Sequence, residues 1–167
     1  MEYNFAAINS INWVRILGQV IYYFWSYFKV ETNMTPVNYV VPTGNFGNVY
    51  AGFISKRMGL PIKKLIVCSN KNDILTRFFS NGTMEKKVAR ESLSPSMDIQ
   101  VSSNFERLLH HFLKDRKKVS SLINKMDKEG KYSVPKQLLT EILKEFAGGS
   151  VSDLSLIHIS EPTRRRT

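Results

Sequence analysis

The stretch VNYVVPTGNFGNVYAGFISKRMGLPIKKLIVCS, residues 37–69, decides the fold. It opens with VNYVVP at 37–42, a short apolar run with β-branched residues of the kind that forms a buried strand. TGNFGN at 43–48 is a turn cluster. Val49, Phe53 and Ile54 then recur at helical spacing within residues 49–58, and Gly59 followed by Pro61 signals the stop. IKKLIVCS at 62–69 is a second strand run. Strand, glycine loop, helix and strand in that order make a βαβ unit. It predicts an α/β fold with a parallel sheet covered by helices.

The loop joining strand to helix concentrates the chemistry. Thr43-Gly44-Asn45-Phe46-Gly47 falls where backbone N–H groups have no intrahelical partner and the helix dipole is positive. A phosphate can bridge such donors. Gly44 and Gly47 permit close backbone approach and positive φ. The spacing is neither the dinucleotide fingerprint G-x-G-x-x-G nor the phosphate loop ending in GK[ST]. Two glycines also suit tight βα packing, so spacing alone leaves both readings open.

Working outward, residues 9–29 predict a helix, with Ser10 a candidate cap and Trp13, Ile16, Leu17, Val20, Tyr23, Phe24 and Tyr27 on one face. Ile21, Tyr22 and Phe28 make the opposite face apolar too, which places this helix inside a larger protein. Asp73 is a candidate cap for a short helix through Phe79, and Asn81-Gly82 is a turn. Thr83 to Glu91 is polar and predicts an exposed loop; residues 94–104 predict irregular chain. A helix is expected from Asn104 to Lys117, closed by the basic run KDRKK, whose charges suit a helix C-terminus. A last helix is expected from Pro135 to Phe146, broken by Gly148-Gly149-Ser150.

With 43% apolar and 23% charged residues in 167, the composition is that of a globular chain and excludes a disordered or fibrous one. The net charge of +10 raises a nucleic-acid or anionic-surface partner as a second class of function. No nucleic-acid motif accompanies it. The single cysteine, Cys68, rules out an internal disulfide framework, fits a reducing compartment, and reads as a small core residue. The start MEYNFAAINS has no basic n-region, and the apolar run at 16–28 is too short to span a bilayer and contains Gln19. These features point to the cytoplasm and to no membrane partner. His110 and His111 are adjacent and point to different sides of a helix, and no Cys/His/acid cluster has metal-site spacing, so no metal is expected.

Three blocks carry a resemblance: NSINWVRILGQVIYYF near the start, VVPTGNFGNVYAGFISKRMGLPIKKLIVCSNKNDIL, and SPSMDIQVSSNFERLL. In this order, over residues 8–109, they resemble threonine synthase of the longer bacterial and fungal type. The resemblance implies a pyridoxal-phosphate enzyme of fold type II, like the tryptophan synthase β chain. It also implies conversion of O-phosphohomoserine and water to threonine and phosphate. The family loop that holds the cofactor phosphate through backbone amides matches here as Gly44, Asn45, Phe46 and Gly47. The family's next position is often Asp and is Asn48 here. The family's Schiff-base lysine stands in a Phe-Lys-Asp context, which this chain lacks: Phe28-Lys29 is followed by Val30. The Thr-Ala-His-Pro-Ala-Lys context of the ring-nitrogen partner is also absent. The expectation is therefore an interior fragment, inactive alone, with the phosphate anchor and no catalytic residue. Another fold type II enzyme, such as a dehydratase, is the neighbouring alternative. The NSINW and SPSMDIQVSSNFERLL blocks favour threonine synthase. The oligomeric state is left open.

Asn9, Ser10 and Asn12 belong to the first block, as ligand contacts or, the favoured reading, with Asn9 or Ser10 as a helix cap. Asp98 closes a turn or orders a wall of the site, with the turn favoured. From Leu154 the string LSLIHISEPTR resembles a translated sequencing-library adaptor. The expected organisation is thus a catalytic-region fragment at 1–153 and a non-native tail at 154–167. The tail holds Arg164, Arg165 and Arg166 against Glu161, so part of the basic excess belongs to it.

Overall fold

The computed structural model describes residues 9–152 and Ser155. Helix α1, Trp13–Val30, leads into strand β1, Val37–Pro42. The glycine loop follows, then α2, Gly47–Arg57, and β2, Ile62–Ser69. β1 and β2 pair in parallel, with Tyr39 beside Leu65 and Val41 beside Val67. The βαβ unit forms as expected, because strands of six and eight residues, rich in β-branched and apolar side chains, flank a helix whose Val49 and Phe53 are fully buried.

Helix α3, Ile74–Asn81, packs across the sheet, and its neighbour β3, Thr83–Glu85, pairs antiparallel with β4, Lys131–Ser133. Part of the expected 83–91 loop is thus a strand, with Met84 and Tyr132 buried in the pairing. A 3₁₀ turn occupies Pro95–Met97. Helix α4 runs over Phe105–Leu113 and stops at Lys114, which is left-handed at φ 50°. Asp115 then caps α5, Arg116–Glu129, accepting from the amides of Lys117 and Lys118. The KDRKK run therefore ends α4 at Lys114, earlier than expected, and its remaining residues cap and open a second helix.

Helix α6, Lys136–Glu145, leads directly into β5, Phe146–Ser150, which pairs in parallel with β2. The expected Gly148-Gly149-Ser150 break is a strand. A Cβ on Gly148 would lie 3.0 Å from Phe79 Cβ and 3.1 Å from Thr76 Cα, so the residue is small because α3 packs on it. The three-stranded sheet has the order β1-β2-β5.

The core is aromatic. Phe78 meets Phe105 edge-on at 4.7 Å between centroids, and Phe53 lies 5.5 Å from Phe146. Asn12, not Ser10, caps α1, its side chain accepting from Val14 N at 3.0 Å. Ile16, Val20, Tyr23 and Tyr27 face inward, and Tyr23 donates its hydroxyl to Asn48 O on α2. The other face of α1 is uncovered: Ile21 is 63% exposed, Tyr22 69% and Trp25 63%. Trp13 and Leu17, expected inside, are about half exposed. Among the described residues no helix is long and apolar enough to cross a membrane.

Candidate functional site

The site is built at the carboxyl ends of the parallel strands, where open α/β sheets bind ligands. Thr43 continues β1 by donating its amide to Cys68 O at 3.0 Å. The next four residues turn into α2. Phe46 holds the left-handed conformation at φ 63°. For a non-glycine residue that costs about 1–2 kcal/mol. Burying the phenylalanine ring is worth about 2–3 kcal/mol and offsets it. That ring is fully buried, 5.1 Å from Phe105 and 5.9 Å from Phe146 between centroids.

Positive φ at the loop thus belongs to Phe46 and not to Gly44 or Gly47. The glycines serve close approach. A Cβ on Gly44 would lie 2.8 Å from Ile99 Cδ1 and 3.1 Å from Ser96 O. One on Gly47 would lie 2.6 Å from Ser10 Cβ.

The amides of Gly44, Asn45, Phe46, Gly47 and Asn48 have no acceptor among the described residues. The corresponding carbonyls are occupied. Ser102 Oγ donates to Gly44 O, Asn104 donates twice to Asn45 O, and Tyr50 N donates to Phe46 O. Five unbonded donors at a helix N-terminus, with no Cβ on two of the residues, fit a phosphate.

A polar network holds the wall of the loop. Asp98 Oδ1 accepts from Asn70 Nδ2 and Asn72 Nδ2, both at 2.8 Å, and from Ser92 Oγ at 2.6 Å. Its Oδ2 accepts from Ser92 N at 2.9 Å. Asn70, fully buried just beyond β2, also reaches Ser92 and Ser94 Oγ. Partial burial raises the Asp98 pKa, and the donors from Ser92, Asn70 and Asn72 more than reverse this, leaving it below the ordinary value. Asp98 is thus more than the end of a turn: it fixes the 92–99 segment, which presses Ser96 and Ile99 against Gly44.

Ser10 lies at the opposite wall, its Oγ accepting from Asn104 Nδ2 at 2.7 Å. Asn9 Oδ1 accepts from Ile11 N, closing the turn before α1. Arg107 Nη1 donates to Ser10 O at 3.0 Å and Nη2 to Ile11 O at 2.6 Å. Ser102, Asn104 and Arg107 were not singled out by spacing, because each acts on residues at least 58 positions away.

The remaining candidates lie elsewhere. Cys68 is buried, which pushes its thiol pKa up, as suits a core residue. His111 packs edge-on against Phe53, and burial together with Arg57 and Lys114 lowers its pKa, while His110 is exposed. Among the described residues no group of three His, Cys, Asp or Glu is placed to hold a metal. The tail at 154–167 lies outside the described residues apart from Ser155.

No family model matches the chain. The threonine synthase of Pseudomonas aeruginosa is 47% identical over 148 residues, covering 88% of this chain and 32% of that protein. A crystal structure of PLP-bound threonine synthase from Brucella melitensis superposes with a TM-score of 0.83 at 41% identity, covering 88% of this chain and 32% of that one. The match is to threonine synthase. The yeast threonine synthase structure agrees, with a TM-score of 0.82 at 39% identity over 89% of this chain and 32% of its own. The chain therefore has the architecture of part of a fold type II pyridoxal-phosphate enzyme, and spans about a third of the threonine synthases it matches.

Proposed function

We propose that the chain supplies the cofactor-phosphate cradle of a threonine synthase, which converts O-phosphohomoserine and water to threonine and phosphate. The observation that carries this reading is the row of five unbonded amides, Gly44 to Asn48, at the N-terminus of α2. In it, Gly44, Asn45, Phe46 and Gly47 hold the phosphate of pyridoxal phosphate through backbone N–H groups. Phe46 keeps the loop in shape through its buried ring. Bound there, the cofactor supplies an electron sink for elimination and hydration of the substrate. The chain's own residues bind and orient; none is assigned a proton transfer. Residues 1–153 form the catalytic-region segment in this reading, 154–167 the non-native tail, and the setting is the cytoplasm.

The test is a graft. Residues 9–152 replace the matching segment of the Pseudomonas aeruginosa enzyme, and threonine formation from O-phosphohomoserine is measured. Activity is expected. A folded, soluble graft that binds pyridoxal phosphate no better than pyridoxal would refute the cradle.

A further inference from the structure

The cradle works only if its N–H groups face the ligand, and two residues far along the chain govern that direction. In a trans peptide the N–H and C=O point to opposite sides of one plane. Fixing a carbonyl therefore aims the amide that follows it. Ser102 Oγ donates to Gly44 O, which turns the Asn45 N–H away from the 102–104 turn. Asn104 donates to Asn45 O from its backbone N at 3.2 Å and from Nδ2 at 3.0 Å, which turns the Phe46 N–H the same way.

Asn104 is itself held in one orientation. It is 1% exposed, so its amide group needs partners on both sides. Its Oδ1 accepts from Arg107 Nη1 at 2.8 Å, and its Nδ2 reaches Ser10 Oγ at 2.7 Å as well as Asn45 O. A flipped amide would place oxygen against the Asn45 carbonyl and NH₂ against the guanidinium, losing bonds at both ends. Arg107, braced on the carbonyls of Ser10 and Ile11, thus sets the sense of the Asn104 amide.

We propose that Ser102 and Asn104 are positioning residues that aim the Asn45 and Phe46 amides at the bound anion, with Arg107 fixing Asn104. This rests on the cradle reading above. The test uses the full chain and its variants Ser102→Ala, Ser102→Thr and Asn104→Asp. Affinities for pyridoxal 5'-phosphate and for pyridoxal are compared, and the Asn45 and Phe46 amides are followed by NMR with inorganic phosphate as probe. Ser102→Ala and Asn104→Asp should each weaken pyridoxal phosphate binding about fivefold, the worth of one hydrogen bond, and leave pyridoxal binding unchanged. Ser102→Thr keeps the hydroxyl and should restore the affinity. Equal weakening of both ligands, or full affinity in Ser102→Ala, would overturn the positioning roles alone. A wild-type chain that does not prefer the phosphorylated ligand would sink the cradle reading and the positioning roles with it.

Discussion

Replacing Asp98 by Asn tests how the loop wall is held. The substitution keeps size and shape and exchanges one carboxylate oxygen for NH₂. Asp98 Oδ1 accepts three donors and Oδ2 one, so the new amide keeps its oxygen at the Oδ1 position. The NH₂ then faces the Ser92 N–H, donor against donor. Three charge-assisted bonds become neutral ones, and one amide loses its acceptor. Undiscounted, these changes sum to about 3 kcal/mol or more. Asp98 is only partly buried, and water replaces some of what is lost, so about 1–2 kcal/mol is the expected cost.

Urea unfolding at neutral pH should show the midpoint falling by roughly 1 M or less. The dependence on pH is the sharper part. The folded Asp98 pKa is lowered, so its contribution is complete above the ordinary aspartate value and is lost as pH falls through the lower, folded one. Wild type and variant should therefore converge in acid, where a protonated Asp98 resembles the amide. A stability gap that is constant from pH 7 down to pH 3, or no gap at neutral pH, would show that the four bonds do not act as the geometry implies.

Two further outcomes follow from packing. Gly52→Ala in α2 gains about 1 kcal/mol of helix propensity. Its Cβ, however, would lie 2.6 Å from Tyr23 Cζ and 2.9 Å from Leu65 Cδ2, and crowding at about 1–3 kcal/mol should win. Thermal unfolding should show a lower Tm, and a raised one would contradict the packing of α1 on α2. The uncovered face of α1 at Ile21, Tyr22, Trp25 and Phe28 should drive the isolated chain to associate. Ile21→Lys with Trp25→Lys should reduce light scattering at equal concentration, and unchanged scattering would exonerate that face.

What could be read from sequence, and what could not, divides along physical lines. The unit from Val37 to Ser69 was legible because its apolar runs and turn residues are local signals, and the glycine loop lay inside it. β5 was not, since Gly148 and Gly149 look like breakers until α3 is seen pressing on the strand. The division between α4 and α5 was missed because Lys114 adopts a left-handed conformation without being glycine. Asp115 before Arg116 was the available signal, a capping residue hidden in a run read for its charge. Ser102 and Asn104 stand within a resembling block, yet their action on Gly44 and Asn45 depends on contacts that only folding creates.

Those contacts explain why the glycine loop, the proposed cradle, keeps its shape. From one side the buried Phe46 ring ties the loop backbone to Phe105 and Phe146, so the left-handed residue cannot relax without opening the core. Neighbouring carbonyls are fixed from another side by Ser102 and Asn104, and the wall against Gly44 is fixed by Asp98. Phe105 directly follows Asn104 and begins α4, so one short stretch delivers both a polar brace and an apolar one to the same loop. Apolar packing sets where the loop lies, and hydrogen bonds set which way its amides face. Either alone would leave the loop's N–H donors in several orientations; together they leave one, the arrangement the proposed cradle needs, and all of these supports lie within residues 9–152.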